Sequence, residues 1–189
     1  MSLQPSRHTE ILRRNETALL IIDIQEKIFR VMLNPEILIE NTIILIEGFK
    51  ILDIPIFITE QYPKGLGETE YRIKESLKDI IPIQKLSFSC AGAGELISTF
   101  NSRNIKQVVI AGIESHVCVQ QTALDLRANA FQVSLAADAC SSRKENDYNV
   151  ALERMQSAGV IVTTTEAILF ELLNVCGTEE FKKISKIVK

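Results

Sequence analysis

The apolar run at residues 17–23, TALLIID, shows no polar alternation. A strand with one face in water alternates apolar and polar residues. A strand covered on both faces does not, and that is the habit of parallel sheets. This run opens a pattern in which strand and helix alternate six times. Strands are expected at 17–23, 55–60, 81–85, 107–113, 131–137 and 160–163. Helical periodicity fills 34–53, 71–78, 95–103, 116–130, 145–159, 165–173 and 179–186. Pro35 sits near the first turn of the 34–53 helix, where its missing N–H costs nothing. Pro82 suits an edge strand or a strand start. Such alternation implies right-handed βαβ units, a mostly parallel sheet and helices on both of its faces. With 189 residues and no linker or repeat, a single domain over 1–189 is expected, led by a mobile segment at 1–14.

Charge and targeting signals narrow the function classes. The net charge of -3 carries no footprint for nucleic acid. The basic tail 181–189 could be an amphipathic membrane-surface helix. The simpler reading packs Phe181, Ile184 and Val188 and leaves the lysines in water. Residues 1–17 hold no apolar core of a signal peptide, and the run 18–22 is too short to span a bilayer, so a cytoplasmic location without membrane attachment is expected. Cys90, Cys118, Cys140 and Cys176 form no CxxC pair and are expected as free thiols, three of them small buried hydrophobes.

Known phosphate and metal motifs fail. Gly92-Ala93-Gly94 lacks the third glycine of GxGxxG, and no GxxxxGK[ST] or GxSxG occurs. The two histidines, His8 and His116, are far apart, so no metal and no cofactor are expected.

In a parallel α/β sheet, ligands bind beyond the carboxyl ends of the strands. The residues to inspect are therefore Asp23 with Gln25, Glu60 with Gln61, Lys85 with Phe88, 114–118 and 138–143. Cys118 falls near the start of a helix, where backbone N–H groups stabilise a thiolate and can hold an oxyanion. From position alone, an inert buried cysteine competes with a nucleophile. Asp23 can cap the following segment or act as a general base. Lys85 can be solvated, or can point inward, pair with Asp23 and stabilise charge on a substrate oxygen. His116 lies two residues from Cys118, a spacing that does not face two side chains on a helix. It is read as lining or capping.

Five segments together resemble the isochorismatase-like cysteine hydrolases: LLIIDIQ around Asp23, FITEQYPKGLG at 57–67, QKLSFSC around Lys85, VVIAGIESHVCVQQTALDL around Cys118 and AADACSSR at 136–143. The resemblance spans about residues 15–175. It implies a three-layer αβα, Rossmann-like fold with a six-stranded parallel sheet, and an Asp23–Lys85–Cys118 triad. It also implies a non-proline cis peptide at Ile113–Glu114, a bond that costs roughly 3–4 kcal/mol. The Glu114 N–H would then join that of Cys118 as an oxyanion hole. Gln25, Phe29, Tyr62, Phe88 and His116 are expected to line the pocket, and a homo-oligomer is expected. Metal-dependent nicotinamidases resemble this fold but use histidines after the second strand, where this chain has Thr59-Glu60-Gln61-Tyr62-Pro63. True isochorismatases cleave a vinyl ether without the cysteine. Retention of Cys118 therefore points to hydrolysis of a small amide, ureido or carbamoyl compound through a thioester. The alternatives are vinyl-ether cleavage with Asp23 as acid, and a silent binding or scaffold protein.

Overall fold

A computed structural model describes residues 6–189. Among these, six strands form one sheet in the order β3-β2-β1-β4-β5-β6: β1 (Thr17–Ile22), β2 (Ile56–Gln61), β3 (Ile83–Lys85), β4 (Gln107–Ile113), β5 (Gln132–Ser141) and β6 (Ile161–Thr163). Every neighbouring pair is parallel. The chain winds outward from the β1/β4 pair in both directions, so the topological switch point lies between those two strands.

The unbroken apolar strands sit where they must. In β1, Leu19 and Ile21 enter one core while Ala18, Leu20 and Ile22 enter the other. The first core lies under α1 (Pro35–Ile51), which contributes Leu38, Leu45, Ile46 and Phe49. It also takes Ile73 and Leu77 from α3 (Tyr71–Leu77), and Ile168 and Leu169 from α7 (Thr165–Leu173). The second core holds Leu96 and Phe100 of α4 (Leu96–Ser102), Ala123 and Leu126 of α5 (Gln120–Ala128), and Ala151 and Met155 of α6 (Glu145–Ser157). These are the three layers.

Details depart from the sequence reading where tertiary packing overrides local signals. The loop 61–67 contains a one-turn helix, α2 (Pro63–Leu66). Strand β5 runs on to Ser141, past the end expected at residue 137, because it continues to pair with β4 through Cys140 and Ser141 after an irregularity. The segment expected as a helix from 116 begins as a π-helical turn, Ser115–Val119, before α5. Residues 7–13, expected to be mobile, lie against the domain. Arg7 donates to the Glu171 carbonyl at 2.7 Å, Leu12 is 1% exposed, and the Arg13 N–H donates to Gln107 Oε1 at 2.6 Å. The first five residues of that segment lie outside the described residues. The basic tail forms α8 (Glu179–Ile187), with Ile184 buried and Phe181 and Val188 packed against the core. Among the described residues no helix is long and apolar enough to cross a membrane.

At the switch point the two central strands come unusually close. Gly112, paired with Ile22, has φ +137°, and a Cβ on it would fall 2.2 Å from the Ile22 carbonyl oxygen. Only glycine fits there. The chain then leaves β1 sharply, because Asp23 adopts a left-handed φ of 53°. The peptide bond after β4, Ile113–Glu114, is cis.

Candidate active site

Asp23 follows the last residue of β1 and is 3% exposed. Its N–H donates to the Thr59 carbonyl at 3.3 Å, tying the turn to β2. Both carboxylate oxygens are engaged. Oδ1 accepts from the Thr59 hydroxyl at 2.7 Å, and Oδ2 accepts from Lys85 Nζ at 2.6 Å. Such a charge-assisted bond between ions is among the strong ones, and inside a protein it persists because breaking it would strand a charge.

Lys85 ends β3 and its side chain is 0% exposed. The solvated reading is excluded. Besides Asp23, its ammonium donates to Gln61 Oε1 at 2.8 Å, the Phe88 carbonyl at 3.0 Å and the Ser87 carbonyl at 3.2 Å. An ammonium has three protons, and four acceptors already share them. No donor remains for a substrate oxygen, so Lys85 does not stabilise substrate charge directly in this arrangement. Its charge holds Asp23 and anchors the 86–88 loop.

Cys118 lies in the π-helical turn after β4 and is 7% exposed. Its thiol is pushed up to about 12, by burial first and then by the negative charge of Asp23, while Lys85 pulls the other way. It therefore rests protonated and needs a base to become a nucleophile. Asp23 is the carboxylate beside it. A second thiol, Cys90, is buried in the same place, with its sulfur 3.6 Å from Thr59 Oγ1 and its own ionisation pushed up to about 11, again by burial first. Thr122 links the two cysteines, donating to the Cys118 carbonyl at 2.7 Å and accepting from the Cys90 N–H at 2.9 Å.

The other residues expected at the pocket scatter. Gln25 is 0% exposed, and its amide clamps two loops. Oε1 accepts from the Gln61 N–H at 2.8 Å, and Nε2 donates to the carbonyls of Gln61 at 3.0 Å and Gly67 at 2.6 Å. Every polar atom is used internally, so substrate binding is corrected to a structural clamp. Phe29 is 5% exposed and belongs to the core under α1, which corrects its expected place on the pocket wall. Tyr62 and Phe88 are about half exposed at the β2–β3 edge, at 51% and 54%. His116 Nδ1 meets Ser142 Oγ at 2.9 Å, and its Nε2 lies 3.9 Å from Glu114 Oε1 and 4.0 Å from Asp147 Oδ2. The Glu114 carboxylate accepts from Arg143 Nε at 2.7 Å. The Glu114 carbonyl accepts from the N–H groups of Val117 and Val119 and so starts the turn that carries Cys118.

A separate hollow of about 370 Å³ between α1 and α6 is lined by Leu33, Ile37, Asp138, Cys140 and Tyr148. Its tyrosine hydroxyl is committed to the Ala137 carbonyl and its Ser141 hydroxyl to the Leu33 carbonyl, and its cysteine, buried, has no carboxylate–ammonium pair beside it of the kind that meets Cys118. Among the described residues no group of three or more His, Cys, Asp or Glu is arranged to hold a metal.

Sequence reasoning missed Thr59 and the anchoring carbonyls of Ser87 and Phe88. A polar residue at the carboxyl end of an apolar strand, next to the strand bearing Asp23, was the available signal for Thr59.

A parallel sheet with a thiol, a carboxylate and an ammonium buried together at its switch point defines a class of three-layer α/β proteins with a candidate nucleophilic centre. The chain belongs to the isochorismatase-like hydrolase family, since residues 17–167 match the model described as isochorismatase domain. It is 41% identical over 146 residues to isochorismatase domain-containing protein 1 of Salmo salar, covering 77% of this chain and 51% of the salmon protein. The chain thus spans about half the length of that relative. It is 37% identical to isochorismatase domain-containing protein 2 of Rattus norvegicus, covering 90% and 80% of the two chains. Among solved structures, one described as MAR1 ribonuclease from Caenorhabditis elegans superposes with a TM-score of 0.87 at 34% identity, covering 94% of this chain and 91% of that one.

Proposed function

We propose that this chain is a cysteine-dependent hydrolase that cleaves a C–N bond in a small amide, ureido or carbamoyl compound. The observation that carries this reading is the Cys118 thiol buried beside the Asp23–Lys85 ion pair. Asp23 takes the proton from Cys118 as the sulfur attacks the carbonyl carbon and a C–S bond forms. The backbone N–H groups of Glu114 and Cys118 hold the oxyanion. The C–N bond breaks, and the amine leaves with the proton from Asp23. Water, deprotonated by Asp23, then attacks the thioester, releasing the acid and restoring the thiol. Lys85 keeps Asp23 in place throughout. Family membership also supports a homo-oligomer, and Ile37 of α1 and Val150 of α6 are exposed apolar side chains it could cover.

The experiment is a screen of small amides and carbamoyl compounds read by ammonia release, repeated on a substrate with Cys118→Ala. Loss of turnover by about a thousandfold or more is expected, by analogy with removal of other nucleophiles. Undiminished turnover rejects covalent catalysis.

The family description favours a second reading, in which Asp23 is the acid for vinyl-ether cleavage. Asp23 accepts hydrogen bonds on both oxygens, which suits a proton acceptor better. Isochorismate cleavage that survives Cys118→Ala would select the second reading. The name of the nematode protein suggests RNA, but a net charge of -3 opposes a polyanion, whose binding draws on clustered Lys and Arg.

A further inference from the structure

Thr59 is 0% exposed on β2 and grips Asp23 twice, through its carbonyl to the Asp23 N–H and through its hydroxyl to Oδ1. Its hydroxyl has one proton. A carboxylate is acceptor-only, so at 2.7 Å that proton must lie toward Asp23. The 3.6 Å contact with Cys90 then has one polarity: the Cys90 S–H donates to Thr59 Oγ1. A buried chain results, running from the Cys90 thiol to the Thr59 hydroxyl to Asp23, met from the other side by Lys85. Each Asp23 oxygen thereby carries one fixed donor, and the carboxylate cannot rotate without losing one of them.

We propose that Thr59 is a positioning residue for Asp23, orienting the carboxylate and drawing off part of its charge through a hydroxyl that Cys90 backs up. This rests on the reading of Asp23 as the base for Cys118. The consequence has a definite sign. The charge of Asp23 holds the Cys118 proton on, and the Thr59 donor tempers that charge. Removing the hydroxyl strengthens the hold of Asp23 on the thiol proton. Less thiolate is then present at a given pH. Mere loosening of the site would do the opposite, because exposure to water eases ionisation of a buried thiol.

The test is the rate of iodoacetamide alkylation of Cys118 in the full chain, assigned by mass spectrometry, from pH 7 to 10. Thr59→Val should alkylate about three- to tenfold more slowly than wild type, since part of one charge-assisted hydrogen bond is passed to the thiol. Thr59→Ser should stay near wild type, and thermal melting reports whether each variant is folded. A Thr59→Val rate equal to or faster than wild type, or a Thr59→Ser rate as slow as Thr59→Val, overturns the proposal. Asp23→Asn separates the two layers of argument. It should accelerate alkylation by removing the charge. If it does so while Thr59→Val changes nothing, only the role of Thr59 falls. If Asp23→Asn leaves the rate unchanged, the pairing of Asp23 with Cys118 falls as well; if it slows alkylation, Asp23 serves the thiol as a base without holding its proton on at rest, and the sign argued for Thr59 is overturned.

Discussion

Lys85→Met keeps an unbranched side chain of similar length and deletes only the ammonium. That group meets Asp23 Oδ2 at 2.6 Å, Gln61 Oε1 at 2.8 Å and the Phe88 and Ser87 carbonyls at 3.0 and 3.2 Å, all with its side chain 0% exposed. After the substitution Asp23, itself 3% exposed, keeps only the Thr59 hydroxyl and the Cys118 thiol, and no cation, as side-chain donors. Breaking a buried pair from one side costs about 3–5 kcal/mol, because the remaining charge is stranded. For a chain of this length each kcal/mol lowers Tm by about 2–4 °C, so a fall of roughly 6–20 °C is expected. Calorimetry or urea unfolding measures it. The double variant Asp23→Asn/Lys85→Met should recover part of the loss, because it strands no charge, and the cycle gives the coupling directly. If Lys85→Met melts within about 2 °C of wild type, the reasoning is refuted. It is equally refuted if the double variant loses as much as the two single variants together, since the ion pair would then not be what holds Asp23 in the interior.

Two further outcomes follow from the same geometry. Gly112→Ala should destabilise by about 3 kcal/mol or more, seen as a lower urea midpoint, because its Cβ meets the Ile22 carbonyl oxygen at 2.2 Å and its φ of +137° suits only glycine; an unchanged midpoint would show that β1 and β4 are not in this close register. Cys118 and Cys90 are held up to about 12 and about 11, above the ordinary thiol value of 9.0. Below about pH 9 folded and unfolded chains both keep these protons. Above it the unfolded chain releases them first, so stability falls as pH rises from about 9 through about 12. Urea midpoints between pH 8 and 11 should therefore drop, less steeply in Cys118→Ala, and an identical slope in that variant would contradict the burial of the thiol proton.

The parallel sheet was legible because a strand covered on both faces has no polar face to show, and TALLIID and QVVIAGI show none. The three reactive groups were legible only as residues after strand ends. Nothing local in QKLSFSC says whether Lys85 turns to water or inward, and propensity treats both alike. The clamp formed by Gln25 was misread for the same reason. A polar side chain behind an apolar strand looks the same whether it meets a ligand or the carbonyls of a neighbouring loop, and the difference lies in partners 36 and 42 residues away.

Apolar patterning along the chain was sufficient by itself to determine the six strands, the burial of the central pair β1 and β4 on both faces and the edge at which chemistry would lie, because water sorts residues by a rule that needs only neighbours in sequence. Tertiary structure alone decided that Lys85 is saturated with acceptors, that Thr59 holds Asp23, and that the Cys118 thiol keeps its proton well above the ordinary thiol range. Each of these depends on which charges and hydrogen-bond partners share a volume closed to water. That volume is assembled from β1, β2, β3 and the turn after β4, segments that meet only once the sheet has formed.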